Sequence, residues 1–178
     1  MGEFHRPESG KDKMIVVATE EEYKLAKERF KHQKIVQTGV GPLNVIETLR
    51  KYPKWTKIIN FGYAGSKTIP IGTEVKIGYS ASYHPKVYYL DMAYILDNEE
   101  SDVWCYTQAD FIEPEEAEEN AVYDMELAYI CALGFKDVKS IKIISDNCPP
   151  CRRRRRPCPP LFPKSGRESD RRYRRPCS

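Results

Sequence analysis

Short apolar runs alternate with helix-like segments through most of the chain, and this alternation limits the fold more than any other feature. Residues 14–18, 34–37 and 57–60 each have an apolar centre, which is typical of buried strands. A helix pattern follows the first run, and another follows the second. We therefore expect an α/β domain with a largely parallel or mixed sheet.

The loops after these strands carry recognisable helix starts and bends. Thr19 is a good N-cap with Glu22 three residues later, which is the capping-box pattern. The three Glu at 20–22 lie in the first helical turn, where the helix dipole favours negative charge. This explanation is sufficient for two of them, but a Glu that faces the strand end can have another role. The bend at 38–42 leaves backbone N–H groups as a candidate anion or hydroxyl site, but it lacks the residues of a P-loop. Small residues at 61–65 allow a ligand to approach the backbone.

Two acidic residues stand out near the end of the domain. Apolar residues recur at helical spacing over 121–133, which predicts a helix with an acidic start at 113–119. Glu126 lies within that stripe, and a buried carboxylate must be paired, hydrogen-bonded or hydrated. A strand at 141–144 leads to Asp146, at the end where ligands gather in α/β sheets. Each residue also has a purely structural interpretation. Glu126 would lie at the edge of the apolar face with its carboxylate in water, and Asp146 would be a turn or cap residue.

Charge divides the chain into two unlike parts. Residues 148–178 carry a net charge of +9, whereas the whole chain carries +3, so the remainder is mildly acidic. The tail has seven Pro and five consecutive Arg at 152–156, and we expect it to be disordered. We expect residues 14–147 to form the domain, and residues 1–13 to be a vector-derived remnant or a loose extension.

The cysteines and the apolar runs indicate a compartment but no metal site. Cys105 and Cys131 lie in apolar surroundings and are expected to be buried free thiols. The tail begins with Cys148-x2-Cys151, but the two Cys that follow do not match a zinc-finger spacing. We expect no metal and no cofactor. Free thiols, no signal-peptide pattern and no apolar run near the roughly 20 residues of a membrane span predict a cytosolic protein.

Eight short motifs follow one another along the domain. They are VVATEEE at 16–22, QTGVG at 37–41, INFGYAG at 59–65, IGTEV at 71–75, YH at 83–84, ADFI at 109–112, DME at 124–126 and ISD at 144–146. In this order they resemble the nucleoside phosphorylase superfamily, most of all its hydrolytic branch, the 5′-methylthioadenosine/S-adenosylhomocysteine nucleosidases. The resemblance implies a mixed central sheet flanked by helices. The usual C-terminal helix is expected to be lacking, because Pro149 and the Arg-rich tail stand in its place.

The resemblance implies roles for three carboxylates. Asp146 is similar to the general acid that protonates N7 of the purine, with Ser145 helping to hold it. Glu22 is similar to the acid that positions and activates the attacking water. Glu126 is similar to the carboxylate that binds the ribose hydroxyls and stabilises an oxocarbenium-like transition state. These roles agree with the chemistry of a desolvated strand-end acid and of carboxylate-assisted glycoside cleavage.

The resemblance also implies a substrate pocket. Met125 would pack against the ribose, Phe111 would stack on the base, and Ile112 would contact the base through its backbone. Gly62 and Tyr63 belong to the third strand-end loop, and Tyr63 stands where the family usually has a small Ser or Thr. The implied partners are a purine nucleoside and a second copy of the chain that helps to close the site.

Hydrolysis is favoured over phosphorolysis by the strand-end loops. The phosphorylases use Arg in the first and third of these loops to hold phosphate, whereas residues 19–23 and 61–66 contain no Arg. A phosphate-dependent purine nucleoside phosphorylase is the alternative within the superfamily. The alternative from another class is an inactive scaffold that binds nucleic acid through the Arg run at 152–156. His84 is interpreted as a loop residue.

Overall fold

The structure is a computed structural model, in which residues 13–82, 93–96, 101–108, 112 and 116–148 are described. Within these ranges the chain forms nine strands and three helices. In chain order they are β1 (Lys13–Val17), α1 (Glu20–Arg29), β2 (Lys34–Gln37), α2 (Pro42–Leu49), β3 (Lys57–Gly65), β4 (Glu74–Lys76), β5 (Tyr79–Ser82), β6 (Ala93–Ile95), β7 (Trp104–Thr107), β8 (Ala121–Asp124), α3 (Leu127–Ala132) and β9 (Asp137–Asp146).

All of the described strands belong to one mixed sheet. Its order is β2-β1-β3-β8-β7-β5-β6, and β9 pairs with β3 and β4 beside this path. The strand β1 is parallel to β2 and β3, β9 is parallel to β3, and β7 is parallel to β5 and β8. Antiparallel pairs join β3 to β8, β4 to β9 and β5 to β6. The predicted α/β class with a mixed sheet is therefore confirmed.

The strand β3 joins the two parallel parts of the sheet. Its register with β9 shifts between Ala64 and Gly65, and at this irregularity Gly65 also pairs with Tyr123 of β8. A bulge of this kind bends a strand and changes the direction of its last residues. As a result, the carboxyl ends of β3, β8 and β9 lie beside one another.

The core lies on both faces of the sheet. Met14 and Val16 of β1 belong to a large cluster that includes residues of α2 and α3, whereas Ile15 and Val17 pack into a second cluster with Ala26 of α1. Burial on both faces is typical of parallel strands and explains the nearly continuous apolar run of β1. None of the helices in the described ranges is long and apolar enough to cross a membrane.

The prediction of one helix over 121–133 is wrong. Residues Ala121–Asp124 form the strand β8, all of them are buried, and only Leu127–Ala132 is helical. The apolar spacing reflects burial of β8 between β7 and β3 followed by a short helix, rather than one amphipathic helix. The described part of the acidic run, at 116–119, is not helical either, and the Glu118 side chain accepts a hydrogen bond from the Tyr106 hydroxyl.

Two other predictions are confirmed, and several fall on residues that the structure does not describe. The capping box at the start of α1 is confirmed, as are the buried free thiols of Cys105 and Cys131. The strand segments expected at 83–84 and 87–90, and with them His84, lie outside the described residues. So do residues 1–12 of the extension expected at 1–13, whose last residue, Lys13, begins β1, and so does the tail from 149 onward, where the usual C-terminal helix is expected to be lacking.

Candidate active site

A cavity of about 260 Å³ lies at the carboxyl ends of β1, β3, β8 and β9. Seven of the nine site residues predicted from the sequence line it, namely Glu22, Tyr63, Ile112, Met125, Glu126, Ser145 and Asp146. Gly62 contacts the carboxylate of Glu22 from behind, and Phe111 lies outside the described residues. The topology therefore brings together side chains that are up to 124 positions apart in the sequence.

Glu22 is fixed by hydrogen bonds from the loop after β1 and from β3, since Gly62 and Tyr63 belong to that strand rather than to the predicted loop after it. Its Oε2 accepts from the backbone N–H groups of Ala18 and Thr19, each at 2.8 Å, and its Oε1 accepts from the N–H of Tyr63 at 2.7 Å. The residue is only 5% exposed, although Glu20 and Glu21 beside it are exposed. The helix dipole is thus a sufficient account for those two residues, whereas Glu22 faces the cavity.

Gly62 is required by the close approach of Glu22. A Cβ atom at position 62 would lie 2.8 Å from Cδ of Glu22 and would clash with its Oε1. Glycine at this point lets the backbone of β3 pass directly behind the carboxylate. This is also the contact that aligns the Tyr63 N–H with Glu22.

Glu126 is held at the junction of β8 and α3. It is the N-cap residue of α3, not a residue of its interior as predicted, and it is 7% exposed. Its Oε1 accepts a hydrogen bond from the N–H of Gly41 at 3.0 Å, at the start of α2. The glycine bend predicted as a candidate anion site therefore binds a carboxylate of the chain itself.

Burial is the largest cause of the raised pKa of Glu126. The pKa of its carboxyl rises from 4.5 to about 7, because burial and then the charge of Asp124 disfavour ionisation. Lys142 and the Gly41 N–H act in the opposite direction, and Glu22 adds a smaller repulsion. Glu126 therefore changes its charge close to neutral pH.

Asp146 ends β9 and lines the same cavity. Its Oδ2 accepts from the Ser145 hydroxyl at 2.8 Å, and its Oδ1 accepts from the N–H of Cys148 at 2.9 Å. A Cβ atom at Gly65 would lie 2.8 Å from Oδ1, so β3 also passes close to this acid. Burial and the charge of Asp146 raise the pKa of the Cys148 thiol to about 11, which makes it a neutral lining group.

The structure adds a charged pair that the sequence analysis missed. Asp124 lines the cavity, and its Oδ2 lies 2.7 Å from Nζ of Lys142 on β9. Their side chains are 0% and 2% exposed, respectively. Alternation along β9 could have revealed the lysine, since Val138, Lys142 and Ile144 share its buried face.

The rest of the cavity wall is mainly apolar and aromatic. Ile112 and Tyr123 are buried, whereas Tyr63 is partly exposed. Such a lining with a few convergent polar groups is typical of small-molecule sites. Within the described part of the chain, no group of three or more His, Cys, Asp or Glu residues is placed to hold a metal ion.

Comparisons with known proteins show similarity in structure but not in sequence. No protein-family model matches the chain, and no curated protein matches it. Its fold is similar to that of solved nucleosidases and of a futalosine hydrolase, so the predicted resemblance is confirmed at the level of the fold.

Three solved structures illustrate this likeness. The 5′-methylthioadenosine/S-adenosylhomocysteine nucleosidase of S. pneumoniae, bound to a transition-state inhibitor, has a TM-score of 0.63 at 17% identity, over 77% of this chain and 86% of that chain. The S-adenosylhomocysteine nucleosidase of Streptococcus pyogenes has a TM-score of 0.61 at 19% identity, over 80% and 86% of the two chains. The futalosine hydrolase of Helicobacter pylori has a TM-score of 0.62 at 16% identity, over 78% and 86%.

Proposed function

We propose that the chain is an N-ribosyl hydrolase that cleaves the glycosidic bond of a purine nucleoside. The substrate would be 5′-methylthioadenosine or S-adenosylhomocysteine, and the products adenine and the thioribose. One observation carries the proposal. Three carboxylates from distant segments, Glu22, Glu126 and Asp146, line one cavity at the carboxyl ends of the strands in a nucleosidase fold.

Asp146 would serve as the general acid. As the bond between C1′ and N9 breaks, electrons move into the purine ring, and a proton transferred to N7 makes the base a neutral leaving group. The Ser145 hydroxyl and the Cys148 N–H fix the orientation of the acid, because each binds a different carboxyl oxygen. A positioned acid of this kind contributes about 10²–10⁴-fold to a rate.

Glu22 would hold the water that attacks C1′. Three backbone N–H groups fix its carboxylate, two on Oε2 and one on Oε1, so one lone-pair site of Oε1 is left to accept from a water molecule. As the new bond between the water oxygen and C1′ forms, the carboxylate accepts the proton that the water loses. Backbone donors do not rearrange during the reaction, and the Glu22 carboxylate, which acts as the general base, is therefore oriented in advance.

Glu126 would bind the ribose. An ionised carboxylate accepts hydrogen bonds from sugar hydroxyls, and its negative charge stabilises the positive charge that develops on the ring. Met125 beside it would pack on the sugar, and Ile112 and Phe111 would contact the base. Since the pKa of Glu126 is about 7, we expect kcat/KM to fall as the pH decreases below that value.

The cavity favours water over phosphate as the nucleophile. Among the described residues that line it, none is Arg or Lys, and Glu22, Asp124, Glu126 and Asp146 are acidic. A phosphate dianion would meet carboxylates without a cationic partner. The alternative, a phosphate-dependent purine nucleoside phosphorylase, therefore has less support from the site.

Release of the free purine base in phosphate-free buffer tests the reaction. The purified full chain is incubated with 5′-methylthioadenosine, S-adenosylhomocysteine, adenosine and futalosine, because the similar structures include nucleosidases and a futalosine hydrolase. We expect release of the base from a thionucleoside without phosphate. Release only after phosphate addition would support the phosphorylase, and no release from any nucleoside would count against the proposal.

Three broader expectations remain predictions. The chain would act as a homodimer, in the cytosol, within methionine salvage. Sedimentation velocity of the full chain tests the first of these, and a monomer at micromolar concentration would contradict it.

A further inference from the structure

Lys142 occupies a position that would ordinarily be apolar. It lies on the buried face of β9, where Ser140 and Ile144 are its neighbours in the alternation and Val138 is the next buried residue. Taking a cation and an anion out of water is costly, and a well-packed apolar pair in their place is often neutral or stabilising. Fold stability alone therefore does not account for the Lys142–Asp124 pair.

Asp124 connects this pair to the start of α3. Its Oδ1 accepts from the hydroxyl of Thr107, and its Oδ2 accepts from the N–H of Leu127 at 3.0 Å as well as from Lys142. Thr107 in turn accepts from the N–H of Ala128 at 2.9 Å. These contacts fix the first turn of α3, and Glu126 is its N-cap residue.

Charged and titratable groups face Glu126 from several elements. Glu22 of α1 and Asp124 of β8 repel its charge, whereas Lys142 of β9 and the Gly41 N–H before α2 attract it. The thiols of Cys105 and Cys131 lie near the pair and stay neutral, because burial raises the pKa of both, that of Cys131 to about 12. Lys142 is thus the cation that compensates a group of buried carboxylates.

We propose that Lys142 is a positioning residue of the active site, which neutralises Asp124 so that Glu126 can carry its charge beside the ribose. The role of Glu126 toward the ribose rests on the proposed function, but the electrostatic coupling does not. The Lys142 ammonium remains protonated at neutral pH. Burial lowers its pKa, and the charges of Asp124 and then Glu126 more than reverse that effect, so the net pKa is raised.

A direct titration of Glu126 tests the coupling without any assay of activity. The chain is labelled with ¹³C at the Glu side-chain carboxyl carbons, and Glu126→Gln identifies the signal of Glu126. In Lys142→Met we expect the titration midpoint of Glu126 to rise by about one pH unit or more, because the attractive charge is gone while Asp124 remains. Lys142→Arg is expected to keep the midpoint near that of the parent chain.

Two further variants keep the result decisive. Lys57→Met removes the cation of a more exposed pair with Asp137 on the same sheet, and no shift of Glu126 is expected. Asp124→Asn removes the charge that repels Glu126, so the titration midpoint of Glu126 is expected to fall. If Lys142→Met does not fold, this variant decides whether the electrostatic coupling exists. An unchanged Glu126 midpoint in Lys142→Met, or in Asp124→Asn when that variant is decisive, would overturn the inference.

Kinetics separate this inference from the proposed function. In an active enzyme, the acid limb of the kcat/KM profile of Lys142→Met is expected to move upward together with the NMR midpoint. If the parent chain cleaves no nucleoside, the proposed function fails, while the titration still decides the coupling. If the midpoint moves but the acid limb does not, the role of Lys142 in catalysis is refuted.

Discussion

Replacing Glu126 with Gln is expected to change how stability depends on pH. Gln has the shape of a protonated Glu, and its side-chain oxygen can still accept the hydrogen bond from Gly41. The folded carboxyl has a pKa of about 7, compared with 4.5 as the ordinary value. The folded state therefore binds the proton more strongly than the unfolded state does, and its stability decreases as the pH rises between these two values.

The expected magnitude follows from the two pKa values. At about 1.4 kcal/mol per pKa unit, the stabilisation that Glu126 provides when protonated decreases by about 2.5 kcal/mol between pH 5 and pH 8. It is fully present below the unfolded pKa and is lost as the pH passes the folded pKa. As the pH rises from 5 to 8, the free energy of unfolding of Glu126→Gln is expected to increase by that amount relative to the parent chain. This corresponds to roughly 5–10 °C in Tm.

Urea unfolding of both chains at pH 5 and pH 8 measures this difference. All other titratable groups are common to the two chains, so the contributions of the groups that do not interact with Glu126 cancel in the comparison. Glu21→Gln, which changes an exposed Glu of α1, is the matched control and is expected to follow the parent chain. A difference between Glu126→Gln and the parent that is the same at both pH values would refute the reasoning.

Three other substitutions test separate contacts. Thr19→Ala removes the hydroxyl that accepts from the N–H of Glu22, and urea titration is expected to show a loss of about 1 kcal/mol, with Thr19→Ser close to the parent. Gly62→Ala brings a Cβ to 2.8 Å from Cδ of Glu22 and is expected to cost about 1–3 kcal/mol, so unchanged stability would contradict the close approach. Asp146→Asn is expected to lower kcat for nucleoside cleavage by about 10²–10⁴-fold with an unchanged circular dichroism spectrum, and full activity would argue against the general acid.

The first part of the fold was predictable because local signals there agree with one another. β1 has an apolar run, and the capping box at Thr19 fixes the start of α1. Pro42 likewise begins α2. Where strand, cap and helix signals are consistent, the sequence identifies the elements and therefore which loops reach the carboxyl edge of the sheet.

Residues 121–133 were misinterpreted because periodicity does not distinguish short apolar elements. Val122 and Tyr123 are buried as strand residues, but their spacing to Ile130 also matches one face of a helix. The position of Glu126 at the N-terminus of α3, and its contact with Gly41, depend on tertiary packing. No local pattern encodes a hydrogen bond between residues 85 positions apart.

The Lys142–Asp124 pair could not be predicted from the sequence for a different reason. A lysine in a strand is ordinarily interpreted as solvent-exposed, and its burial follows only from the alternation of β9 between buried neighbours. Asp124 drew attention only as part of a motif. The partnership itself requires the topology that places β8 and β9 on either side of β3.

We infer that this cavity hydrolyses the glycosidic bond of a purine nucleoside with Asp146 as the acid. The most direct test measures adenine release from 5′-methylthioadenosine in phosphate-free buffer, with the parent chain and Asp146→Asn side by side. We expect release by the parent chain that is nearly abolished in Asp146→Asn. Equal release by both chains, or release by the parent only when phosphate is added, would contradict it.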